Sequence, residues 1–515
     1  MDAPRRNVLL VMADQLAAGW LPAYGHGAVR APNLTALAEG AAVFESAYCP
    51  APLCAPSRAG LLSARLPSRS GVFDNAAEMP AALPTITHQL RAHGYYTGLI
   101  GKMHFVGPDQ LHGFEERLTA DIYPGDLDWT PDWRLPTGEQ LPWYHTMESV
   151  LEPAVSVASM QQDYDDEVAF RAVRKIFDLA REDGERPFFL VVSFSNPHDP
   201  WELRSRYWDL YDREAIDLPS VPLMPLDEAD PHSRRLRAMC GVDEVDLSPD
   251  QLRAARHGYY AAISYLDERV GEVLAALRDT ALDTDTIVAF TADHGEMLGE
   301  RGLWYKMSFF EHSARVPLIV RMPGGASRRV ADPVSQLDVA PTLLELSGTP
   351  WPAEHTEELD GTSVVGLMTG DAESRPRAVP AEYLAEGVNA PAVMVRRGRY
   401  KLIACPHDPD QLYDLADDPA ELVNLADDPK HAETVDALRD ELARHWDPDG
   451  LTRRVLASQR ERRLVMSGLR EGAASSWAFE PGAEGSRKYV RGGADLYELQ
   501  RRARLDAPGP LGGRS

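Results

Sequence analysis

The densest chemistry in this 515-residue chain lies in the segment Cys54-Ala55-Pro56-Ser57-Arg58. A cysteine at the start of a helix, with free backbone N–H groups and an arginine nearby, can have its thiol pKa lowered or can belong to an anion site. The segment leaves both open, and a cysteine in this setting is equally at home as a core thiol. Asp14 follows the first apolar run, and Asp293-His294 follow a later one. Carboxylate oxygens suit a hard divalent cation, although an aspartate at a strand end also serves as a simple cap. Lys102 and Lys306 offer cationic groups able to stabilise developing negative charge, in a residue type otherwise most often found at the surface. Histidine is the side-chain type suited to acid or base work near neutral pH, which makes His104 and His198 candidates for it.

The fold has to gather these groups. Strand-like runs at 7–12, 96–100, 188–194 and 286–291 lead into Asp14, Lys102 with His104, His198, and Asp293-His294 respectively. That pattern is expected of an open α/β sheet with its site at the C-terminal edge of the strands. Helices are predicted at 86–92 and 165–179, a further buried strand at 316–320, and a covering helix at 339–346. The clearest local signal is Ser248 as N-cap, Pro249 at the first helical position and Gln251 at the third. Leu252, Ala255, Tyr259, Ile263, Leu266, Val270 and Leu274 then form an apolar stripe, so this helix should lie against the sheet.

Past residue 375 the texture changes. Strands are predicted at 392–396 and 400–404 around a tight Arg397-Gly398 turn, followed by a helix at 432–446. From about residue 452 the chain is rich in Arg, Glu, Gly and Ala, with scattered Trp477, Phe479, Tyr489 and Tyr497. Those aromatics are expected to dock on the body or on a neighbouring subunit. The expected organisation is an α/β fold with a large mixed, mostly parallel sheet flanked by helices over residues 1–375, a smaller C-terminal α+β subdomain over 376–450, and an extended tail over 451–515.

Composition narrows the class. The formal net charge of -26 would repel a polyanion over most of the surface, so nucleic acid is not an expected partner, while a few cations gathered in one pocket still admit a small anion. The apolar run after Arg5-Arg6 stops at Met12 and suits a buried strand better than a signal peptide. No apolar stretch approaches the about 18 residues needed for a membrane span, and the chain reads as cytoplasmic and soluble. Four cysteines without ligand-like spacing indicate neither a disulfide framework nor a thiolate zinc site.

The Cys54 to Arg58 segment, continued through Leu66-Pro67-Ser68-Arg69 to Gly71, resembles the cysteine-type maturation motif of the sulfatase family, within the alkaline-phosphatase-like superfamily. Asp14, Gly101-Lys102-Met103-His104, His198, Asp293-His294-Gly295-Glu296 and Lys306 follow in the family's order across residues 5 to about 345. The resemblance implies a sulfatase fold and oxidation of Cys54 to formylglycine by a maturation enzyme. It implies a divalent metal, most often Ca2+ and sometimes Mg2+ or Mn2+, held by Asp14, residue 54, Asp293 and His294. It further implies that Arg58 steadies the modified residue, that Lys102 and Lys306 contact sulfate oxygens, that His198 serves the leaving alcohol and that His104 serves the formylglycine hydroxyl. Gln15 and His294 stand where many sulfatases have aspartate and asparagine, which leaves metal preference open.

Residues 101–117, Asp74-Asn75-Ala76-Ala77-Glu78, Leu412-Tyr413-Asp414-Leu415 and 455–463 resemble the family members that act on choline sulfate. A quaternary ammonium cannot donate conventional hydrogen bonds and is held by aromatic faces and carboxylates. Trp129, Glu386 and Asp495 are the candidates, Asp495 from the tail of this or a neighbouring subunit. The same centre would serve an arylsulfatase or a phosphonate or phosphodiester monoesterase, whereas a noncatalytic anion-binding protein would keep Cys54 unmodified. By analogy the chain is expected to form a homo-oligomer, such as a tetramer.

Overall fold

The computed structural model describes residues 5–123, 125–141, 143–182, 186–356, 358–371, 377–444 and 446–471. The strands of its first part are β1 (Asn7–Ala13), β2 (Ala42–Tyr48), β3 (Tyr96–Gly101), β4 (Glu116–Arg117), β5 (Ala154–Val155), β6 (Phe188–Ser193), β7 (Glu202–Leu203), β8 (Thr286–Ala292), β9 (Arg315–Arg321), β10 (Arg328–Val330) and β11 (Val334–Ser335). The main sheet runs β10-β2-β9-β8-β1-β6-β3-β4, with β11 also on β2, and β5 pairs separately with β7. Pairing is parallel except where β9 meets β2 and β8. Parallel strands covered on both faces need continuous apolar runs. Val8 to Met12 have no exposed surface at all, and burying each such large side chain contributes about 2 kcal/mol.

This topology puts the C-terminal ends of β1, β2, β3, β6 and β8 on one edge. Because β9 runs the other way, its beginning reaches that same edge. The Pro249–Asp279 helix starts with the expected capping box and buries its stripe from Ala255 onwards in the main core, with Leu252 half-buried at its start. The Ile86–Ala92 and Val339–Leu346 helices have the expected bounds. The Met160–Arg181 helix begins five residues before the expectation, capped by Ser159 accepting from the backbone N–H of Gln162.

The smaller sheet is an antiparallel meander of β12 (Ala378–Tyr383), β13 (Ala392–Arg397), β14 (Tyr400–Ala404) and β15 (Gln411–Asp414). Its alternation sends Val393, Val395, Leu402 and Leu412 to the Ala432–Ala443 helix, and Met394, Ile403 and Tyr413 to the main core. The tight turn falls at Gly398-Arg399, one residue later than expected, because Arg397 pairs with Tyr400 and Gly398 takes the positive φ of 58°. The expectation of an extended tail needs correction over its first part. Pro448–Leu469 is a 22-residue helix, seated through buried Leu451, Val455, Gln459 and Arg462. Arg462 forms a two-pronged pair with Asp74 at 2.6 and 2.7 Å. No helix among the described residues is long and apolar enough to cross a membrane.

Candidate active site

Cys54 opens the fully buried Cys54–Ser63 helix, which follows β2. Its Sγ lies 3.1 Å from Nε2 of His294 and 3.9 Å from Oδ1 of Asp14. Ligand atoms of Asp14, Cys54, Asp293 and His294 all lie within 4.8 Å of one another. Arg58, one turn further along the helix, donates from Nε to Asp293 Oδ2 at 2.8 Å, and from Nη1 to the Lys102 carbonyl at 2.5 Å and to Ser193 Oγ at 2.8 Å. One guanidinium thus ties the helix to the ends of β3, β6 and β8. Gly101 lets β3 approach: at its φ of 105°, an added Cβ would sit 1.8 Å from the Ser193 carbonyl oxygen.

The charges here are strongly coupled. Burial alone would raise the Asp14 carboxyl, but Lys102, whose Nζ pairs with Oδ2, brings it down to about 2. Burial also works against a Cys54 thiolate, yet Lys102, Lys306 and His294 pull the thiol well below its ordinary range. The His294 Nδ1 lies 3.0 Å from the Gly295 carbonyl oxygen and donates to it, which turns Nε2 towards the cluster, 3.1 Å from Cys54 Sγ. Two carboxylates, a residue-54 side chain and an imidazole oriented in this way fit a divalent cation.

Around this floor, Lys306 Nζ donates to Gln15 Oε1 at 2.6 Å and faces His198 Nε2 at 2.9 Å. His198 Nδ1 is 2.7 Å from the Asp199 carbonyl oxygen and donates to it, which turns Nε2 towards the Lys306 ammonium and the cavity. Gln15 is held in turn by donating to Glu296 Oε2 at 2.5 Å and to Asp199 Oδ1 at 3.2 Å. Lys102 Nζ lies 4.4 Å from the centre of the Tyr123 ring. His104 has a positive φ of 57°, its backbone N–H donates to Asp121 Oδ2 at 2.7 Å, and its ring meets Trp129 edge-on. Both its ring nitrogens are buried without a hydrogen-bond partner among the described residues, which leaves them available to a ligand.

Above the floor opens a cavity of about 320 Å³. Its lining includes the cationic and titratable Cys54, Lys102, His104, His198 and Lys306 and, beside them, Trp129, Trp143, Tyr144 and Glu386. Trp129 and Trp143 lie nearly parallel, at 13°, with ring centres 6.4 Å apart. Glu386 is 5% exposed. Burial, reinforced by the neighbouring Asp74, pushes its carboxyl up to about 8.

Asp14, Cys54, Arg58, Lys102, His104, His198, Asp293, His294 and Lys306 therefore come together as the sequence led one to expect, and Trp129 and Glu386 border the same space. Asp495, like the aromatics from Trp477 onwards, lies outside the described residues. Tyr123, Trp143, Tyr144, His145, Asp199 and Tyr305 also line the cavity and went unread. Asp199 and Tyr305 directly adjoin His198 and Lys306, and Trp143-Tyr144-His145 is a run of three rings, so adjacency and aromatic density were available signals.

Comparison with known proteins bears directly on this centre. The sulfatase family profile matches residues 6–349; the profile for the N-sulphoglucosamine sulphohydrolase C-terminal region matches 299–447, and that for the choline sulfatase enzyme C terminus matches 453–505. A choline-sulfatase of Rhizobium meliloti (strain 1021) is 46% identical over 513 residues, covering 97% of this chain and 98% of its own. The phosphonate monoester hydrolase of Agrobacterium radiobacter superposes with a TM-score of 0.68 at 25% identity, over 85% of this chain and 95% of its own. That of Silicibacter pomeroyi gives 0.69 at 25% identity, over 86% and 95%. Family membership implies a divalent metal and formylglycine modification of the cysteine. With the profile spanning every strand of the main sheet and a relative this similar along almost the whole length, the chain belongs to the sulfatase family, whose enzymes hydrolyse sulfate esters.

Proposed function

We propose that this sulfatase hydrolyses choline sulfate to choline and sulfate, with residue 54, as formylglycine, providing the nucleophile. The observation that carries the reading is a small cavity with a cationic floor and an aromatic and carboxylate wall. It suits a short zwitterion whose sulfate and quaternary ammonium lie a few bonds apart. Likeness to the Rhizobium choline-sulfatase supports the same substrate.

A divalent ion held by Asp14, residue 54, Asp293 and His294 would supply a Lewis acid for the attacking and sulfuryl oxygens, with Ca2+ the leading candidate and Mg2+ or Mn2+ also compatible with the donor set. Formylglycine would supply a hydrated aldehyde, with one hydroxyl for attack on sulfur and a second for expelling sulfate afterwards. Arg58 orients residue 54 and Asp293. Lys102 and Lys306 stabilise charge on the sulfuryl oxygens. His198 hands a proton from Nε2 to the departing alcohol, and His104 serves the residue-54 hydroxyl. Trp129 and Glu386 receive the trimethylammonium group, and Asp495 is proposed to add a second carboxylate.

The division into residues 1–375, 376–450 and 451–515, a homotetramer and a cytoplasmic location complete the proposal. A second reading, phosphonate or phosphodiester hydrolysis at the same floor, is favoured by the likeness to the two phosphonate monoester hydrolases. Comparing kcat/KM for choline sulfate, an aromatic sulfate and a phosphonate monoester decides between them. Choline sulfate should lead by a wide margin, and a higher value for the phosphonate would reject the choline reading.

A further inference from the structure

The start of the Met160–Arg181 helix lies against the turn that carries His198. Asp165 Oδ1 accepts the backbone N–H of Ser195 at 2.7 Å, while its Oδ2 accepts the backbone N–H of Asn196 at 2.9 Å and the Asn196 side-chain amide at 2.8 Å. One turn earlier, Gln161 Nε2 donates to the Asp199 carbonyl oxygen at 3.2 Å. That is the same oxygen which His198 Nδ1 faces at 2.7 Å. The helix therefore grips the turn both before and after the imidazole. The turn also closes on the metal-ligand strand, because the Asn196 carbonyl oxygen accepts the backbone N–H of Asp14 at 3.4 Å.

Asp165 has no exposed surface, and Gln161 is only 2% exposed, its side chain bordering the cavity beside Tyr123 and His198. Burying a carboxylate costs free energy unless it is well hydrogen-bonded, and an apolar side chain would fill the same space without that cost. What the carboxylate adds is direction, because three N–H groups from two consecutive residues must point at it. The Asp199 carbonyl, held by Gln161, then fixes the proton on His198 Nδ1 and leaves Nε2 facing the cavity and Lys306.

We propose that Asp165 and Gln161 are positioning residues for His198 in the leaving-group step. The inference rests on the sulfatase reading above, in which His198 serves the departing alcohol. As the ester's S–O bond breaks, its electron pair passes to the alcohol oxygen, which takes the second proton of a His198 imidazolium from Nε2 and leaves the ring neutral with its proton on Nδ1. The residue-54 oxygen meanwhile bonds to sulfur, and its own proton passes to His104. An alkoxide needs that proton far more than a nitrophenolate, which is stable as an anion. A misplaced imidazole therefore penalises a poor leaving group selectively, whereas general loosening of the site penalises all esters alike.

The test uses the matured full-length enzyme and measures kcat/KM for choline sulfate and for para-nitrophenyl sulfate. Asp165→Asn retains the size but sets an NH2 group against backbone N–H donors. It should lower choline sulfate turnover by on the order of 10²-fold and para-nitrophenyl sulfate turnover by less than about threefold. Gln161→Leu should shift the ratio in the same direction by a smaller factor, and it carries the test alone if Asp165→Asn does not fold. In a His198→Ala background neither substitution should cost anything further, because the group they position is gone. Equal losses on both esters, or losses that add to that of His198→Ala, would overturn the inference while leaving the sulfatase reading intact. A wild-type enzyme that hydrolyses neither ester would sink the sulfatase reading itself, and this inference with it.

Discussion

The floor of the cavity hangs on the ends of β1, β3, β6 and β8 and on the first turn of a buried helix, whereas the wall, with Trp129, Trp143 and Glu386, is made of connecting segments. On the floor, Asp14, Arg58, Lys102, Asp293 and His294 show no exposed surface. One arginine links three strand ends, so no group can move alone. The wall gets its rigidity at second hand. Trp129 lies in a short turn, Leu127–Trp129, and the adjoining Thr130 receives a hydrogen bond from Arg462 of the C-terminal helix. The contrast separates two tasks. Sulfuryl transfer requires fixed charges and is built on the sheet, while choice of alcohol is left to loops that can change without disturbing it.

Four substitutions would break or sharpen that division. Cys54→Ala should reduce turnover of every ester by on the order of 10⁴-fold or more, with an unchanged thermal unfolding transition. Substantial remaining turnover would remove residue 54 from the chemistry. Lys306→Met should cost about 10² to 10³ in kcat on all sulfate esters alike, since it serves the group they share. An ester-selective loss would move Lys306 from floor to wall.

Glu386→Gln should raise KM for choline sulfate about tenfold and leave an uncharged alkyl sulfate nearly unaffected. Because burial holds this carboxyl up to about 8, the free acid is mostly protonated at neutral pH and must lose its proton to pair with a cation. Choline affinity should therefore rise with pH up to about 8, with proton release visible by calorimetry in buffers of different ionisation enthalpy. Glu386→Gln should flatten that dependence; an unaltered profile would take Glu386 out of the cation site. Arg462→Met strands Asp74 in the interior and should destabilise the fold by about 3 kcal/mol. In denaturant titrations that loss should appear with only a slight rise in choline sulfate KM, and a large fall in kcat would mean the wall also steers the chemistry.

The same division explains what could be read from the sequence. Strands β1, β3, β6 and β8 are largely apolar runs that lead into functional residues, and each was legible together with the groups it presents, while β9 was legible only as a buried strand. β2 was not read, although it carries the chain to Cys54, because Glu45 and Ser46 interrupt its apolar pattern AVFESAY. Ser159 and Gln162 form the start of a cap that places the Met160–Arg181 helix, but the polar Gln161-Gln162-Asp163 that follows hides it behind a later apolar stripe. Wall residues such as Tyr123, Tyr144 and His145 obey no period, since irregular backbone sets their directions. The Pro448–Leu469 helix is mostly polar and finds its stability in docking, through contacts such as Arg462 with Asp74 that lie 388 residues apart in sequence.

The central claim is tested most directly by following, in graded preparations made with and without a maturation enzyme, both the mass of the peptide containing residue 54 and the rate of choline sulfate hydrolysis. The account predicts that the rate rises in proportion to the fraction of Cys54 that shows the mass loss and aldehyde reactivity of formylglycine. Full activity in protein whose Cys54 is entirely an unmodified thiol would contradict it.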